Sequence, residues 1–299
     1  MTENIILYDT AGVEFETAVL LVTRRDGTRI FQLVPTPETE ERNLNVVVIP
    51  PKDFPRMRPD ELRQCRSSVS VFAQDPSASV LYPQWLVTDE NDEVHGYLGW
   101  MPDVTAPPVP IWIYASDPTR MLTAAGALAS LFATMGENRS QLSTVDPDGF
   151  YMVADGSGIV YMSADVFGES LIQWEDHIHY VPPELLVRNR YAIDENASSS
   201  AADYVLSVLL YRLFLGNNPF CGDDLADQIC SGISVFYDDS TPEYNRCIQQ
   251  LCSLDPDLIR LFRLAFDYSG RFAYSKGRPT ADDWLDALAE ILDRKHGGE

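Results

Sequence analysis

Any chemistry that needs an amine has only Lys52, Lys276 and Lys295 to draw on in this 299-residue chain. A phosphate-binding or Schiff-base lysine must be one of these three. His177 and His179 alternate as neighbours on one strand face would, a spacing that suits zinc. No third ligand is evident, and packing or a solvated pair is the simpler reading. Asp146, Asp148 and Asp165 could form a metal site, although acidic loop residues in so acidic a chain more often serve as solvated turn formers. Asp203, Glu184 and Arg278 each sit inside an otherwise apolar stretch, where a charge needs a partner or loses its ionisation. The five cysteines, Cys65, Cys221, Cys230, Cys247 and Cys252, are odd in number and contain no Cys-x-x-Cys, so neither a disulfide framework nor a zinc ribbon is indicated. Cys247 and Cys252, on one expected helix but not sharing a face well, read as buried thiols.

The surroundings of these residues are acidic: 22 Lys and Arg oppose 45 Asp and Glu, a formal charge of −23. Affinity for nucleic acid comes largely from clustered cations, so this balance disfavours a nucleic-acid binder, and it disfavours an anionic membrane surface for the same reason. A hydrophobic content of 45% with 11% aromatic residues supports a real core and excludes disorder throughout. No apolar run approaches the ~18 residues of a membrane span, and Met1 to Leu7 has no basic segment before its short apolar run. A soluble, cytoplasmic protein is expected.

The first hundred residues read as strands. Thr17–Val22 and Arg29–Val34 flank Arg24-Arg25-Asp26-Gly27, a hairpin turn signal. A third run, Asn45–Ile49, stops at Pro50-Pro51, and Pro59 opens a helix to about Phe72. Leu81–Thr88 and Val94–Trp100 form two more strands. Residues 102–110 carry four prolines and read as a linker between a unit at 1–101 and one at 111–299. Beyond it the texture is helical: Pro118–Met135, Ala201–Leu215 closed by Gly216, then Thr241–Cys252, Pro256–Phe266 and Thr280–Asp293. A second hairpin, Phe150–Val153 with Ile159–Met162, turns at Asp155-Gly156-Ser157-Gly158.

Three local motifs give this order a meaning. Tyr180-Val181-Pro182-Pro183-Glu184-Leu185 resembles the Pro-Glu motif that closes a kinase activation segment. Asp203–Leu213, followed by Gly216 and Asn218-Pro219-Phe220, resembles the kinase helix that runs from an Asp to Gly-x-x-Pro-Phe. Gly277-Arg278-Pro279-Thr280-Ala281 resembles the start of the last kinase helix. Leu81–Val87 and Gly96–Pro102 are similar to the sheet and hinge of bacterial kinase-like proteins, with Gly99, Trp100 and Met101 as the hinge. The resemblance covers roughly residues 8 to 293. It implies an α+β, bilobal protein kinase-like fold with a β-rich N-lobe and a helical C-lobe. It further implies a buried Glu184–Arg278 ion pair, and an Asp203 that holds the catalytic loop through backbone N–H groups.

Phosphoryl transfer on that fold needs a glycine-rich loop, a strand Lys on the phosphates, an Asp at the hydroxyl, an Asn, and an Asp on Mg²⁺. The expected phosphate loop, Asp9–Phe15, has one glycine and two carboxylates. The expected Lys position near Leu33 is uncharged, Lys52 lies beyond the third strand, and Arg29 alternates with Phe31 and Leu33. In Thr144-Val145-Asp146-Pro147-Asp148-Gly149, Thr144 replaces the catalytic Asp and Gly149 the Asn. After the second hairpin Ala164 falls where the metal-binding Asp belongs, and only a one-residue slip brings Asp165 there. The resemblance thus implies a catalytically impaired member, a pseudokinase without a cofactor. Its role would be regulatory or scaffolding binding to another protein, with a kinase, phosphatase or other signalling enzyme as candidates and the cleft lining and Tyr204–Cys230 as surfaces. The alternative is a divergent kinase-fold transferase that uses ATP with Mg²⁺ or Mn²⁺ through Asp165, with Asp146 as a second remnant, in a non-standard pose.

Overall fold

Apolar alternation over the first hundred residues yields strands that close on themselves. They are β1 (Ile6–Asp9), β2 (Glu14–Thr23), β3 (Arg29–Leu33), β4 (Val46–Ile49), β5 (Trp85–Thr88) and β6 (Val94–Gly99). The order is β1-β2-β3-β4-β6-β5, all neighbours antiparallel, and β5 pairs back onto β1 to complete a six-stranded barrel. This computed structural model describes residues 5–9, 11–25, 27–49, 81, 84–88, 94–102, 104–137, 146–153, 156, 158–162, 178–186, 195–221, 223–266 and 277–296. The helix expected at Pro59–Phe72 lies outside them. The chain divides into two units, Met1–Pro110 with Asp148–Leu171, and Ile111–Pro147 with Ile172–Glu299.

In the first unit, successive side chains point to opposite faces of each strand. Leu7, Phe15, Phe31, Leu33, Val47, Ile49, Val87 and Leu98 come from all six strands and form one buried cluster, the barrel interior. The alternate residues Ile30, Val46, Val48, Leu86 and Tyr97, joined by Leu21 and Val22 beside a register shift in β2, form a second buried cluster on the outer face. β4 is therefore covered on both sides, which is why its sequence is an unbroken apolar run rather than an alternation. Gly96 on β6 permits the approach of β4, because a Cβ there would meet the Val48 carbonyl oxygen at 2.0 Å.

The outer cluster is covered by a three-stranded sheet of β7 (Val109–Pro110), β8 (Phe150–Met152) and β9 (Ile159–Tyr161), in that order. Tyr151, Val153, Val160 and Met162 of this hairpin belong to the same buried cluster as the barrel's outer face. Gly156, at φ 73°, supplies the left-handed residue that the expected turn requires.

The second unit is helical: α2 (Pro118–Glu137), α3 (Pro183–Leu186), α4 (Glu195–Leu215), α5 (Leu225–Ser231), α6 (Pro242–Leu254), α7 (Asp257–Phe266) and α8 (Ala281–His296). α1 (Pro37–Glu41) belongs to the first unit and is closed at its start by a reciprocal Thr36–Thr39 cap. α4 ends where Gly216, at φ 73°, donates its N–H to the Arg212 carbonyl at 2.8 Å, the cap its position suggested. Around α4 the rings of Tyr204, Tyr211, Phe214, Phe220, Phe236, Phe262, Phe266 and Trp284 meet edge-on, tilted or stacked, each pair 4.9–6.5 Å between centroids.

The β1–β2 turn, where the kinase resemblance places a phosphate loop, is closed by one of its own carboxylates. Asp9 Oδ1 accepts from the backbone N–H groups of Ala11 and Val13 at 2.8 and 2.9 Å, and Oδ2 meets Arg42 at 2.6 Å. The carboxylate is spent on its own turn. Burial pushes the Asp9 carboxyl up, but the Arg42 and backbone donors outweigh this and hold it below the ordinary carboxylate range. A lowered folded value means the stabilisation exists above the unfolded value and fades as pH falls through the folded one. Asp9→Asn is expected to cost about 1–3 kcal/mol near neutral pH. In paired chemical denaturation of the two proteins, that gap should shrink below about pH 4.

Candidate functional site

The three residues expected as a hinge close β6. Gly99 ends the strand, Trp100 is half-buried, and Met101 is fully buried in the outer cluster. The Gly99 carbonyl accepts the Asn45 backbone N–H at 3.1 Å. The Asn45 side chain then takes both main-chain groups of Met101: the N–H donates to Oδ1 at 2.8 Å, and the carbonyl accepts from Nδ2 at 2.6 Å. A carboxamide offers one acceptor and one donor side by side, the same pairing that the edge of a base presents. Asn45 was not singled out from the sequence, because a lone Asn before a strand reads as a loop residue.

The other side of the outer cluster is closed with equal economy. The β2–β3 turn abuts the second hairpin: buried Arg24 donates to the Met162 carbonyl. The turn itself is tight, with the Arg24 N–H on the Thr28 carbonyl at 2.8 Å and the Gly27 N–H on the Arg24 carbonyl at 3.0 Å. Gly149 is buried, and its carbonyl accepts from the Met162 N–H at 2.8 Å. Arg25 lies 3.6 Å from Asp148 with its side chain 87% exposed, a geometry that contributes little in solvent. Thr144, Ala164, Asp165 and His177 lie outside the described residues, as does the side chain of Glu184.

In the helical unit a chain of contacts holds the motif segments. Trp112 Nε1 donates to the Pro147 carbonyl at 3.0 Å, and the Arg212 guanidinium lies 4.3 Å over the Trp112 ring. Arg212 also donates to the Tyr180 hydroxyl at 3.1 Å, while the Tyr204 hydroxyl donates to the His179 carbonyl at 3.1 Å. Arg278 is buried with its guanidinium 5.2 Å from the Tyr204 ring. Burial, and next the Arg212 charge, hold His179 below the usual imidazole value, so the ring favours its neutral form. Among the described residues no group of three or more His, Cys, Asp or Glu could hold a metal ion. Cys247 is buried, with the Tyr211 hydroxyl 3.8 Å from its sulfur. Cys252 is exposed, contrary to the buried reading, because it falls on the solvent side of α6.

No family model and no curated protein matches the sequence. Solved structures do. A rhoptry kinase from Toxoplasma gondii superposes with a TM-score of 0.64 at 8% identity, over 100% of this chain and 85% of that one. A Toxoplasma gondii specific rhoptry antigen kinase domain gives 0.60 at 10% identity, over 99% and 87%. The fold is protein kinase-like. It is an α+β fold whose strands here include the closed barrel.

Kinase-type phosphoryl transfer requires a nucleotide with magnesium, and the described residues do not fit that group. β4, which pairs with the strand leading into the hinge, is Val46-Val47-Val48-Ile49 and carries no cation. Arg29 on β3 places its guanidinium 5.4 Å from the Phe31 ring, whose side chain lies in the barrel interior rather than toward the hairpin. Gly149 has no side chain to ligate a metal. The face between hinge and hairpin is filled by Val46, Val48, Met101, Tyr151 and Met162, each no more than 5% exposed.

Two measurements bear on this geometry. Asn45→Ala removes both partners of the buried Met101 main chain and is expected to cost about 1–3 kcal/mol in a denaturant titration. The second concerns Asp203: burial raises its carboxyl, Arg278 pulls it down, Asp283 and Asp282 raise it, and the result is about 7. The folded chain therefore keeps a proton that the unfolded chain releases, so this residue's contribution to stability falls as pH rises from about 4 to about 7. The slope from one such group reaches at most about 1.4 kcal/mol per pH unit, and Asp203→Asn should remove it from the pH–stability curve.

Proposed function

We propose that this chain is a pseudokinase, a bilobal kinase-like protein with a β-rich N-lobe and a helical C-lobe, which acts by binding another protein rather than by transferring phosphate. The observation that carries this reading is the packed face between hinge and hairpin. There Asn45 takes the Met101 N–H and carbonyl, and five core side chains fill the space beside them. A nucleotide entering there would have to displace buried apolar contacts and break two hydrogen bonds that the chain already makes with itself. The absence of a cation from β4 and the Gly149 substitution support the same reading. A signalling enzyme such as a kinase or phosphatase is the kind of partner it would regulate or scaffold.

Thermal unfolding with ATP and Mg²⁺ or Mn²⁺ tests it. A ligand at a hundred times its Kd stabilises the folded state by about 2.7 kcal/mol, a readily measured rise in Tm. The expected result is an unchanged Tm at millimolar nucleotide. A clear rise, with metal-dependent phosphorylation abolished by Asp165→Ala, would instead establish the divergent transferase.

A further inference from the structure

The helical unit contains a cavity that serves no packing purpose evident in its lining. It lies where the chain leaves α4 through Asn217–Pro219, beside α5, the segment at 233–238 and the first half of α6, and its volume is about 560 Å³. That is within the usual range of roughly 300–1,000 Å³ for a ligand site. Its apolar walls include Leu215 and Val235, and they continue outward onto Ile233 and Tyr237, which are 43% and 62% exposed.

Two polar atoms in the lining are left over. Asn218 Oδ1 and Gln228 Oε1 are buried, and neither has a hydrogen-bond donor among the described residues. A buried carboxamide oxygen without a donor costs free energy, and the cost disappears when a donor arrives. Asp238 and Glu243 add two carboxylates to the lining against one cation, Arg246. Asp238 accepts from the Ser240 N–H and hydroxyl at 2.9 and 2.7 Å, which fixes its orientation and leaves its charge in place. Acceptors within, net negative charge and apolar shoulders ask for a ligand rich in donors, cationic, and carried on an apolar-flanked segment.

We propose that this pocket receives an arginine side chain from a basic segment of a partner protein. The guanidinium donates to Asn218 Oδ1 and Gln228 Oε1, and apolar neighbours in the segment cover Ile233 and Tyr237. Arginine fits better than lysine because its planar group presents several donors at once while remaining weakly hydrated. A macromolecular partner fits better than a lone small molecule because the apolar surface extends beyond the pocket mouth. The −23 charge of the chain would steer a basic segment toward it. This deepens the binding reading by naming the partner's chemistry, but it concerns different residues from the nucleotide titration, so either can fail alone.

The test uses the full chain and a labelled nonapeptide of alternating leucine and arginine, with versions carrying citrulline or glutamate in place of arginine. Anisotropy at physiological ionic strength reads affinity. Alkylation at mildly alkaline pH, localised by mass spectrometry, reads position: Cys221 is exposed and lines the pocket, whereas exposed Cys252 does not. The arginine peptide should bind at least about tenfold more tightly than either analogue and slow alkylation of Cys221 alone. Asn218→Leu with Gln228→Leu should weaken binding about tenfold while leaving Tm unchanged or higher, since acceptors without partners add nothing to the fold. Ile233→Lys, at an exposed position, should weaken binding without affecting folding. Four results would overturn the proposal: no binding, binding that leaves Cys221 unprotected, binding that survives the double substitution, or preference for the glutamate peptide. A marked fall in Tm for the double variant would also count against it, because the two amides would then be serving the fold.

Discussion

The first unit depends on one apolar contact, the burial of the barrel's outer face beneath the second hairpin. A closed six-stranded barrel needs only its interior filled to be covalently and sterically consistent, and Phe15, Phe31, Val47 and Leu98 do that. The outer face is a separate matter. Val46, Val48, Leu86 and Tyr97 would be exposed without Tyr151, Val160 and Met162 against them. Full burial of such a side chain is worth roughly 1.5–3 kcal/mol, so the contact rivals the net stability of a typical domain before entropy is counted. It is also what requires β4 to be apolar on both faces, and so what removes any strand cation there.

A dry contact of this kind imposes a second condition, that every main-chain group inside it be satisfied. The chain meets it with side chains at the margins. Asn45 serves Met101, Arg24 serves Met162, and the Gly149 carbonyl takes the Met162 N–H. Each is a local answer to burial, and each occupies hydrogen-bonding capacity that a ligand would otherwise use. The helical unit solves the same problem differently: Trp112, Arg212 and Tyr204 reach from rigid elements to the Pro147 carbonyl, the Tyr180 hydroxyl and the His179 carbonyl. The motif segments there are held by aromatic and cationic side chains rather than by strand pairing.

How much of this could be read from the residues alone follows from the range of the forces involved. Strand and helix positions were legible because alternation, caps and turns are encoded within a few residues, as at Gly27, Gly156 and Gly216, all with positive φ. The four-residue β1 was missed because Ile6–Asp9 is too short to show a period, although it is the strand that closes the barrel. Residues 9–15, where the resemblance places a phosphate loop, form the β1–β2 turn that Asp9 closes. Asn45 and Met101 are 56 residues apart, and Trp112 and Arg212 are 100 apart, so nothing local announces either contact. The motif around Asp203 was visible, but the upward shift of its carboxyl depends on burial and on Asp282 and Asp283, about 80 residues away in the chain.

Fold likeness at 8–10% identity makes sense in these terms. What specifies the backbone is where apolar residues fall and where turns are permitted, and many sequences satisfy that pattern. A nucleotide cleft adds an opposing demand, since it must keep apolar surface uncovered and main-chain groups unpaired until ligand arrives. In this chain Val46, Val48 and Met162 are buried in one cluster, and Asn45 pairs both main-chain groups of Met101, the opposite of that demand.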